Sequence, residues 1–316
     1  MQYIPNNKVV FLDEADEIEA KLVEVRLAQQ GDVIDLKEIW KRCFGDLDSY
    51  IDFYYTHRYK ADETAVLLCD GKIRAMLTMI SVRTVFPDQQ SVNTTMLYGI
   101  ATHPDDQNRG LATQLIDFSH RYLKARKNEL CVLVPATMQL FNYYRRQGYE
   151  NGFYIRESLL SRDRVDRLPI VRSRPCRMLS ITPEAYNRRR NNQLSGRLFI
   201  MYQDEDIAYQ KKLSQQSGAD IYALDIEEIQ GCLTVERISS DKVLIKEILL
   251  PEDCINVALK QIVKYLSAKE YIVRTPPYLG EKLGGSIRPF GMTRVEGEND
   301  RVITPEDLGY LGLAFD

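Results

Sequence analysis

The chain has 316 residues, of which 44% are hydrophobic and 28% are charged, and its formal net charge is −3. This composition is typical of a water-soluble protein with one or two folded domains, and it excludes disordered and fibrous classes. The small negative charge gives no overall field that would attract nucleic acid. No apolar stretch is long enough to cross a bilayer, and the first residues lack the features of a secretory signal, so we expect a cytoplasmic protein.

The cysteines are scattered along the chain, without a CxxC pair and without a histidine cluster beside them in the sequence. We expect reduced and mostly buried thiols, and no metal site. The six residues are Cys43, Cys69, Cys131, Cys176, Cys232 and Cys254.

In the first half, the patterns predict a strand, two helices, three antiparallel strands, a long helix, a strand, a short helix and a final strand. The first strand ends near Leu27, and Asp32 is the predicted N-cap of the first helix. Asp70-Gly71 predicts a two-residue hairpin, Gly110 opens the long helix, and Gly148 ends the short one. This order fits an α/β fold with a mostly antiparallel mixed sheet flanked by helices.

The second half begins after an Arg-rich stretch with several prolines, from Arg156 to Arg190, which we interpret as a connector with a solvated charged face. A surface for an anionic partner is the alternative. Beyond it, the order hairpin, strand, helix, strand repeats that of the first half and suggests a diverged second copy of one fold. We therefore predict two domains, residues 1–160 and residues 161–316.

The most informative stretch, residues 97–116, is a predicted strand followed by a polar loop and the start of the long helix. Gly110 opens this helix, so the backbone N–H groups of residues 108–112 converge at the positive end of the helix dipole. Such an arrangement can bind a phosphate, to which Arg109 would add charge and Thr113 a hydroxyl. A strand-to-helix turn without a ligand is the alternative, and the glycine and lysine patterns of nucleotide-binding loops are missing.

With its flanking elements, this loop resembles the GNAT superfamily of acetyl-CoA-dependent N-acetyltransferases. Residues 107–112 (QNRGLA) match the family signature Q/R-x-x-G-x-G/A, which holds the pyrophosphate of acetyl-CoA. Downstream, residues 140–149 (LFNYYRRQGY) look like the second signature, in which a tyrosine precedes a glycine by four residues. The resemblance covers about residues 22–160 well, and the second half only in its element order.

The resemblance implies an enzyme that moves acetyl from acetyl-CoA to a primary amine by direct attack, without an acyl-enzyme. It also implies that the strand splays from its neighbour near Tyr98-Gly99, which would free backbone groups to pair with the pantetheine amides. The residues expected to bind acetyl-CoA are Ile100, Ala101, Thr102, Gln107, Asn108, Arg109, Gly110, Leu111, Ala112, Thr113 and Asn142.

Tyr144 stands at the position of the family's usual general acid, which protonates the thiolate leaving group. A phenol and a thiol have pKa values within about two units, so the proton transfer would be nearly balanced. Core packing is the alternative role for Tyr144. Many family members carry an asparagine where Thr137 stands here, and Asn142 could serve the cofactor instead.

The general base is left open by the sequence, because the strand before the loop has no Asp or Glu where some relatives keep one. The candidates are a relay of water, His103, His57, Glu63 and the carboxylate of Asp316, which relatives with an extra C-terminal domain can place in the acceptor cleft. The negative net charge favours a cationic acceptor, such as a polyamine, an aminoglycoside-like amine or a peptide N-terminus.

The second half has no glycine at the equivalent helix start, and Glu252 and Asp253 would repel a phosphate there. We expect this copy to bind no CoA and either to line the acceptor site or to mediate self-association. A Gly-rich loop over residues 278–292 is the candidate for lining the acceptor site. A second reading of the whole chain is a CoA-binding sensor without turnover. A nucleic-acid-binding protein that uses the Arg-rich stretch ranks last.

Overall fold

The computed structural model describes residues 3–4, 8–12, 22–170, 175–296, 301 and 303–315. The chain forms two compact units. The first unit comprises residues 1–81, 93–133 and 294–300, and the second comprises residues 82–92, 134–293 and 301–316. Within the described ranges, no helix combines the length and the apolar character that a membrane span requires.

The first unit is a sheet flanked by helices. Its strands are β1 (Tyr3–Ile4), β2 (Lys8–Leu12), β3 (Leu22–Leu27), β4 (Thr64–Cys69), the first part of β5 (Lys72–Val85), most of β6 (Ser91–Thr102) and β7 (Leu130–Leu133). Its helices are α1 (Val33–Phe44), α2 (Asp48–His57) and α3 (Leu111–Ala125). The strands follow one another in chain order, β1 to β5 are antiparallel, and β6 and β7 are parallel.

Local sequence explains the elements of the first unit. Asp70 and Gly71 both have positive φ, 50° and 75°, and join Cys69 to its partner Lys72 in the predicted hairpin. Helix α3 buries one apolar stripe, which includes Leu115 and Phe118, as its 3.6-residue period requires.

The start of α1 differs from the prediction in one respect. Asp32 is at the N-cap position, but its carboxylate makes no hydrogen bond to the helix. Both of its oxygens instead accept hydrogen bonds from Arg26, at 2.6 and 3.1 Å, and one also accepts from the Gln29 N–H at 2.7 Å. A charged donor on the preceding strand therefore outcompetes the helix N–H groups.

The second unit is also a mixed sheet with helices. Its strands are β8 (Glu150–Ser161), β9 (Arg177–Ser180), β10 (Phe199–Met201), β11 (Ile221–Ile226), β12 (Ile229–Ser239), β13 (Lys242–Leu249), β14 (Glu270–Thr275) and most of β15 (Ser286–Val295). Its helices are α4 (Met138–Arg146), α5 (Arg162–Asp166), α6 (Pro183–Gln193), α7 (Asp204–Gln216) and α8 (Glu252–Tyr265). The strand order is β15-β8-β14-β13-β12-β11-β9, and β10 pairs with the last residues of β5, Arg83–Val85.

The two units contain the same topology, as the sequence predicted. In the first, the order is β3, α1, α2, β4, β5, β6, α3 and β7. In the second, it is β9, α6, α7, β11, β12, β13, α8 and β14, with the short β10 inserted between α6 and α7. In both, the single parallel pair of this set is joined by a helix, α3 between β6 and β7 and α8 between β13 and β14. The two units therefore share one order of strands and helices, while the boundary at residue 160 stays a prediction.

The Arg-rich stretch is not a simple connector, so that interpretation was wrong. Apart from residues 171–174, which lie outside the described residues, it contains the end of β8, all of α5 and β9, and most of α6. Arg190 is fully buried, because the carboxylate of Glu247 lies 3.0 Å from its Nε and the carbonyls of Ile200 and Leu311 accept its other N–H groups. Composition cannot distinguish a solvated arginine from one whose partners lie far away in sequence.

The Gly-rich stretch at residues 278–292 was also predicted wrongly as a loop throughout. It contains a single 3₁₀ turn, Glu281–Leu283, and the first residues of β15, which pair with β8. Pro289 and Gly291 hide the strand pattern, and the register is irregular at this point. Helix α7 was not predicted, because its polar composition gives only a weak periodic signal.

Candidate functional site

The loop between β6 and α3 makes two sharp turns that expose the start of a helix. Asn108 has φ 62° and Gly110 has φ 76°, and Gly110 is the N-cap of α3. A Cβ at Gly110 would meet nothing within 4 Å, so the backbone conformation and not the available space requires glycine. Residues 107–110 are exposed. Across the fully described α3 segment, no side chain caps the helix and its first turn has no acidic residue, which leaves a positive helix end open to an anion.

Arg109 is held beside this helix end by an aspartate that the sequence analysis did not single out. Its Nη1 lies 2.5 Å from Oδ1 of Asp106, which is buried, and Arg74 Nε lies 3.4 Å from the other oxygen of Asp106. Asp106 therefore orients Arg109 while sharing its charge with Arg74. In the sequence, Asp105 and Asp106 are adjacent in a polar loop, and nothing distinguishes them. Only the burial of Asp106 in the structure does.

The end of β6 extends beyond its pairing with β7. The last pair is Leu97 with Leu133, and Gly99, with φ 59°, lies two residues after Leu97. Ile100 and Thr102 lie beyond this last pair. The Thr102 carbonyl accepts from Gln107 Nε2 at 3.2 Å, which ties the loop to the strand.

The remaining loop residues differ in what they can offer a ligand. Leu111 is buried in the core, and so is Ala101, so only their backbone groups are available. Ala112 and Thr113 are half-buried. Among the described residues, the buried Thr102 Oγ1 and Gln114 Oε1 have no hydrogen-bond partner, and both could bind a polar ligand group.

Tyr144 belongs to the second unit, where α4 buries it. Its ring packs edge-on against Tyr143, with centroids 5.1 Å apart, and against Tyr149 at 6.0 Å. Burial, and to a smaller extent Tyr143, raises the pKa of Tyr144 above its usual value, so the phenol keeps its proton at neutral pH. In solution the pKa values of a phenol and a thiol are similar. In the unliganded protein, the raised pKa of Tyr144 makes it a weaker proton donor than those solution values suggest.

The other predicted positions on α4 have local partners. Thr137 is the N-cap of this helix and accepts from the Leu140 N–H at 3.4 Å. Asn142 is exposed, and its Oδ1 accepts from Arg145 at 2.8 Å. Asn142 and the buried Tyr144 thus lie on different sides of the helix.

The candidate bases are mostly engaged in local contacts. The buried His103 accepts the Asp105 N–H at Nδ1, at 3.3 Å, and caps a 3₁₀ turn. His57 is exposed on α2, with its ring against Phe53. Glu63 accepts from Arg58 at 2.7 Å. Asp316 lies outside the described residues, but the segment before it is docked, since Tyr310, Leu311, Leu313 and Phe315 are buried.

The equivalent helix start in the second unit, that of α8, carries the negative charge of Glu252 in its first turn. Helix α8 begins after Pro251, and the carboxylate of Glu252 accepts from the Gly280 N–H at 2.6 Å and the Lys282 N–H at 3.4 Å. A phosphate there would meet negative charge.

Cys131 lies in β7, and its side chain is fully buried. Burial, and then the charge of Glu296, raises the pKa of the Cys131 thiol well above its usual value. Such a thiol is a poor nucleophile. All six cysteines are free, and four of them are buried.

Comparison with known proteins defines the class. A family model described as an acetyltransferase (GNAT) domain matches residues 24–152. No match was found among curated proteins. GCN5-related N-acetyltransferases from Kribbella flavida and Anabaena variabilis share the fold, with TM-scores of 0.66 and 0.68 at 14% and 16% identity. A conserved Enterococcus faecalis protein of unknown function, described as a probable N-acyltransferase, has a TM-score of 0.70 at 13% identity.

Each of these three alignments covers 87% of this chain, and they cover 71%, 73% and 72% of the other chains, respectively. The fold, the open helix end and the family match together define an acyltransferase. Residues 24–152 match the GNAT domain model, and over most of the chain the fold is similar to that of these solved structures.

Proposed function

We propose that the protein transfers acetyl from acetyl-CoA to a primary amine by direct attack. The observation that carries this proposal is the open N-terminus of α3, where Asn108 and Gly110 have positive φ and Arg109 is held in place by Asp106. A diphosphate is the ligand that such a helix end favours, because it accepts several N–H groups and neutralises the positive end of the helix dipole.

The residues of the first unit supply groups that match the parts of CoA. The backbone N–H groups of residues 108–112 and the Arg109 guanidinium would hold the pyrophosphate. The backbone of Ile100 and Thr102, beyond the end of the β6·β7 pairing, would hold the pantetheine amides. The hydroxyls of Thr102 and Thr113 and the amide of Gln114 add polar groups along the same path.

The reaction assigns one proton transfer to Tyr144 and one to a base. The amine nitrogen attacks the acetyl carbonyl carbon, the tetrahedral intermediate collapses, and the C–S bond breaks. Tyr144 gives its proton to the thiolate, and the amine loses a proton to the base. The position of Tyr144 in the second family signature supports this role. Cys131 takes no part, because its thiol is buried and protonated.

For the base we propose relayed water, since the local contacts of His103 and Glu63 reduce their availability.

The experiment that tests the proposal is amine-dependent release of CoA thiol from acetyl-CoA, with a panel of polyamines, aminoglycosides and peptides. Turnover with at least one amine and saturation by acetyl-CoA are expected. The local contacts of His103 and Glu63 favour one alternative, a CoA sensor without turnover. A rise in melting temperature with CoA but no thiol release across the panel would support the sensor. No change in melting temperature with either CoA or acetyl-CoA would contradict both the enzyme and the sensor.

A further inference from the structure

A buried cluster of three potential metal ligands lies in the first unit, away from the loop and strand end described above. It contains His120 of α3, Cys131 of β7 and Glu296, which follows β15. One ligand atom from each residue, His120 Nδ1, Cys131 Sγ and a Glu296 oxygen, lies within 4.8 Å of the other two. The three residues are 5%, 0% and 7% exposed. From these contacts we propose that His120, Cys131 and Glu296 form a structural zinc site.

The contact between His120 and Glu296 is the second observation that points to a cation. His120 Nδ1 lies 2.6 Å from Glu296 Oε1, and Arg294 Nε lies 3.6 Å from the same oxygen. Neither contact has hydrogen-bond geometry, and within the described residues this buried oxygen has no hydrogen-bond partner. An unsatisfied buried carboxylate oxygen is costly, and a bound metal ion would satisfy it.

The donor set favours zinc over magnesium and calcium. An imidazole nitrogen, a thiolate and a carboxylate oxygen are the three donor types that Zn²⁺ binds, whereas Mg²⁺ and Ca²⁺ prefer oxygen alone. With bonds of about 2.0–2.3 Å, tetrahedral zinc ligands lie roughly 3.3–3.6 Å apart. Binding would therefore widen the His120–Glu296 contact of 2.6 Å by several tenths of an ångström.

The neighbours of the cluster support two of its three ligands. The buried Asn128 has its Nδ2 3.7 Å from Cys131 Sγ, which suits a metal thiolate that accepts weak donors. The Glu296 N–H donates to the Glu129 carbonyl at 2.8 Å, which fixes the backbone beside the third ligand. A zinc ion here would fasten α3, the helix whose start forms the anion site, to β7 and to the segment after β15.

Zinc content tests this inference without substrate. Because the site is buried, the metal must be present during folding, so the full chain is refolded from urea with zinc or with a chelator. After gel filtration, about one zinc per chain is expected in the zinc sample, with a higher melting temperature than the chelated sample. Cys131→Ser and His120→Gln should each reduce bound zinc at least tenfold, whereas Cys69→Ser, a buried strand thiol outside the cluster, should not.

Refolding the wild type with cobalt guards against variants that fail to fold. A thiolate-to-cobalt charge-transfer band is expected if Cys131 is a ligand. Wild-type protein that refolds without zinc uptake, without a melting shift and without this band would overturn the site. Zinc uptake that is equal in wild type, Cys131→Ser and His120→Gln would also overturn it.

Discussion

The carboxylate of Asp106 lies 2.5 Å from Nη1 of Arg109, and it is buried while the arginine beside it is exposed. Arg109 is thereby held at the open start of α3 before any ligand arrives. Pre-orientation of this kind lowers the entropy that binding must otherwise overcome.

Arg109→Ala should raise the KM for acetyl-CoA roughly tenfold or more, because a hydrogen bond between charged groups contributes about 1.5–3 kcal/mol. We expect kcat to change little, since the pyrophosphate is remote from the reacting carbonyl. Lys124→Ala removes an exposed positive charge near the other end of α3 and serves as the control. An equal rise in KM for both variants would mean that only the general charge of the helix matters.

Gly110→Ala should destabilise the protein by about 1–2 kcal/mol, because φ 76° is strained for any residue with a Cβ. It should also weaken acetyl-CoA binding as the loop relaxes. Gly196→Ala is a matched control, since Gly196 has φ 77° and an equally open Cβ position in the second unit. Urea unfolding should show similar losses for both, and only Gly110→Ala should change the KM.

Breaking the buried pair of Arg190 and Glu247 should cost about 3–5 kcal/mol, because the remaining charge is left buried without its partner. Arg190 also binds the Leu311 carbonyl, so Arg190→Met should loosen the docked C-terminal segment. Arg188→Met, an exposed arginine of the same helix, should change stability by less than about 0.5 kcal/mol. Urea unfolding and proteolysis near residue 310 measure the two effects.

The fold was largely predictable, and the long-range partners were not. Local signals sufficed for the hairpin at Asp70-Gly71 and for the start of α3 at Gly110, because both need a positive φ that few residues adopt. The buried role of Arg190 depends on Glu247, and the His120 cluster depends on Glu296. Contacts across such sequence distances leave no periodic or motif signal.

Stability should depend on acid pH through Glu157. Its partial burial raises its pKa, but hydrogen bonds from Arg288 and Arg274, both 2.9 Å, outweigh this and lower the pKa below 4.5. The stabilisation is thus fully present above the unfolded pKa and is lost as the pH falls through the folded one.

Melting temperatures at several pH values measure this dependence. The loss in melting temperature on Glu157→Gln should be constant above about pH 6 and shrink towards pH 3. Glu150→Gln, an exposed acid on the same strand, should show no such dependence. A difference for Glu157→Gln that grows as the pH falls would contradict the assignment.

The most direct test of the proposed chemistry is kcat of the Tyr144→Phe variant, measured beside Tyr143→Phe. General acids contribute about 10²–10⁴-fold, so we predict a loss of at least roughly 100-fold in kcat for Tyr144→Phe, with unchanged binding of acetyl-CoA. Tyr143→Phe removes the neighbouring hydroxyl of the same helix and should retain most activity. A Tyr144→Phe enzyme with wild-type kcat would contradict the account.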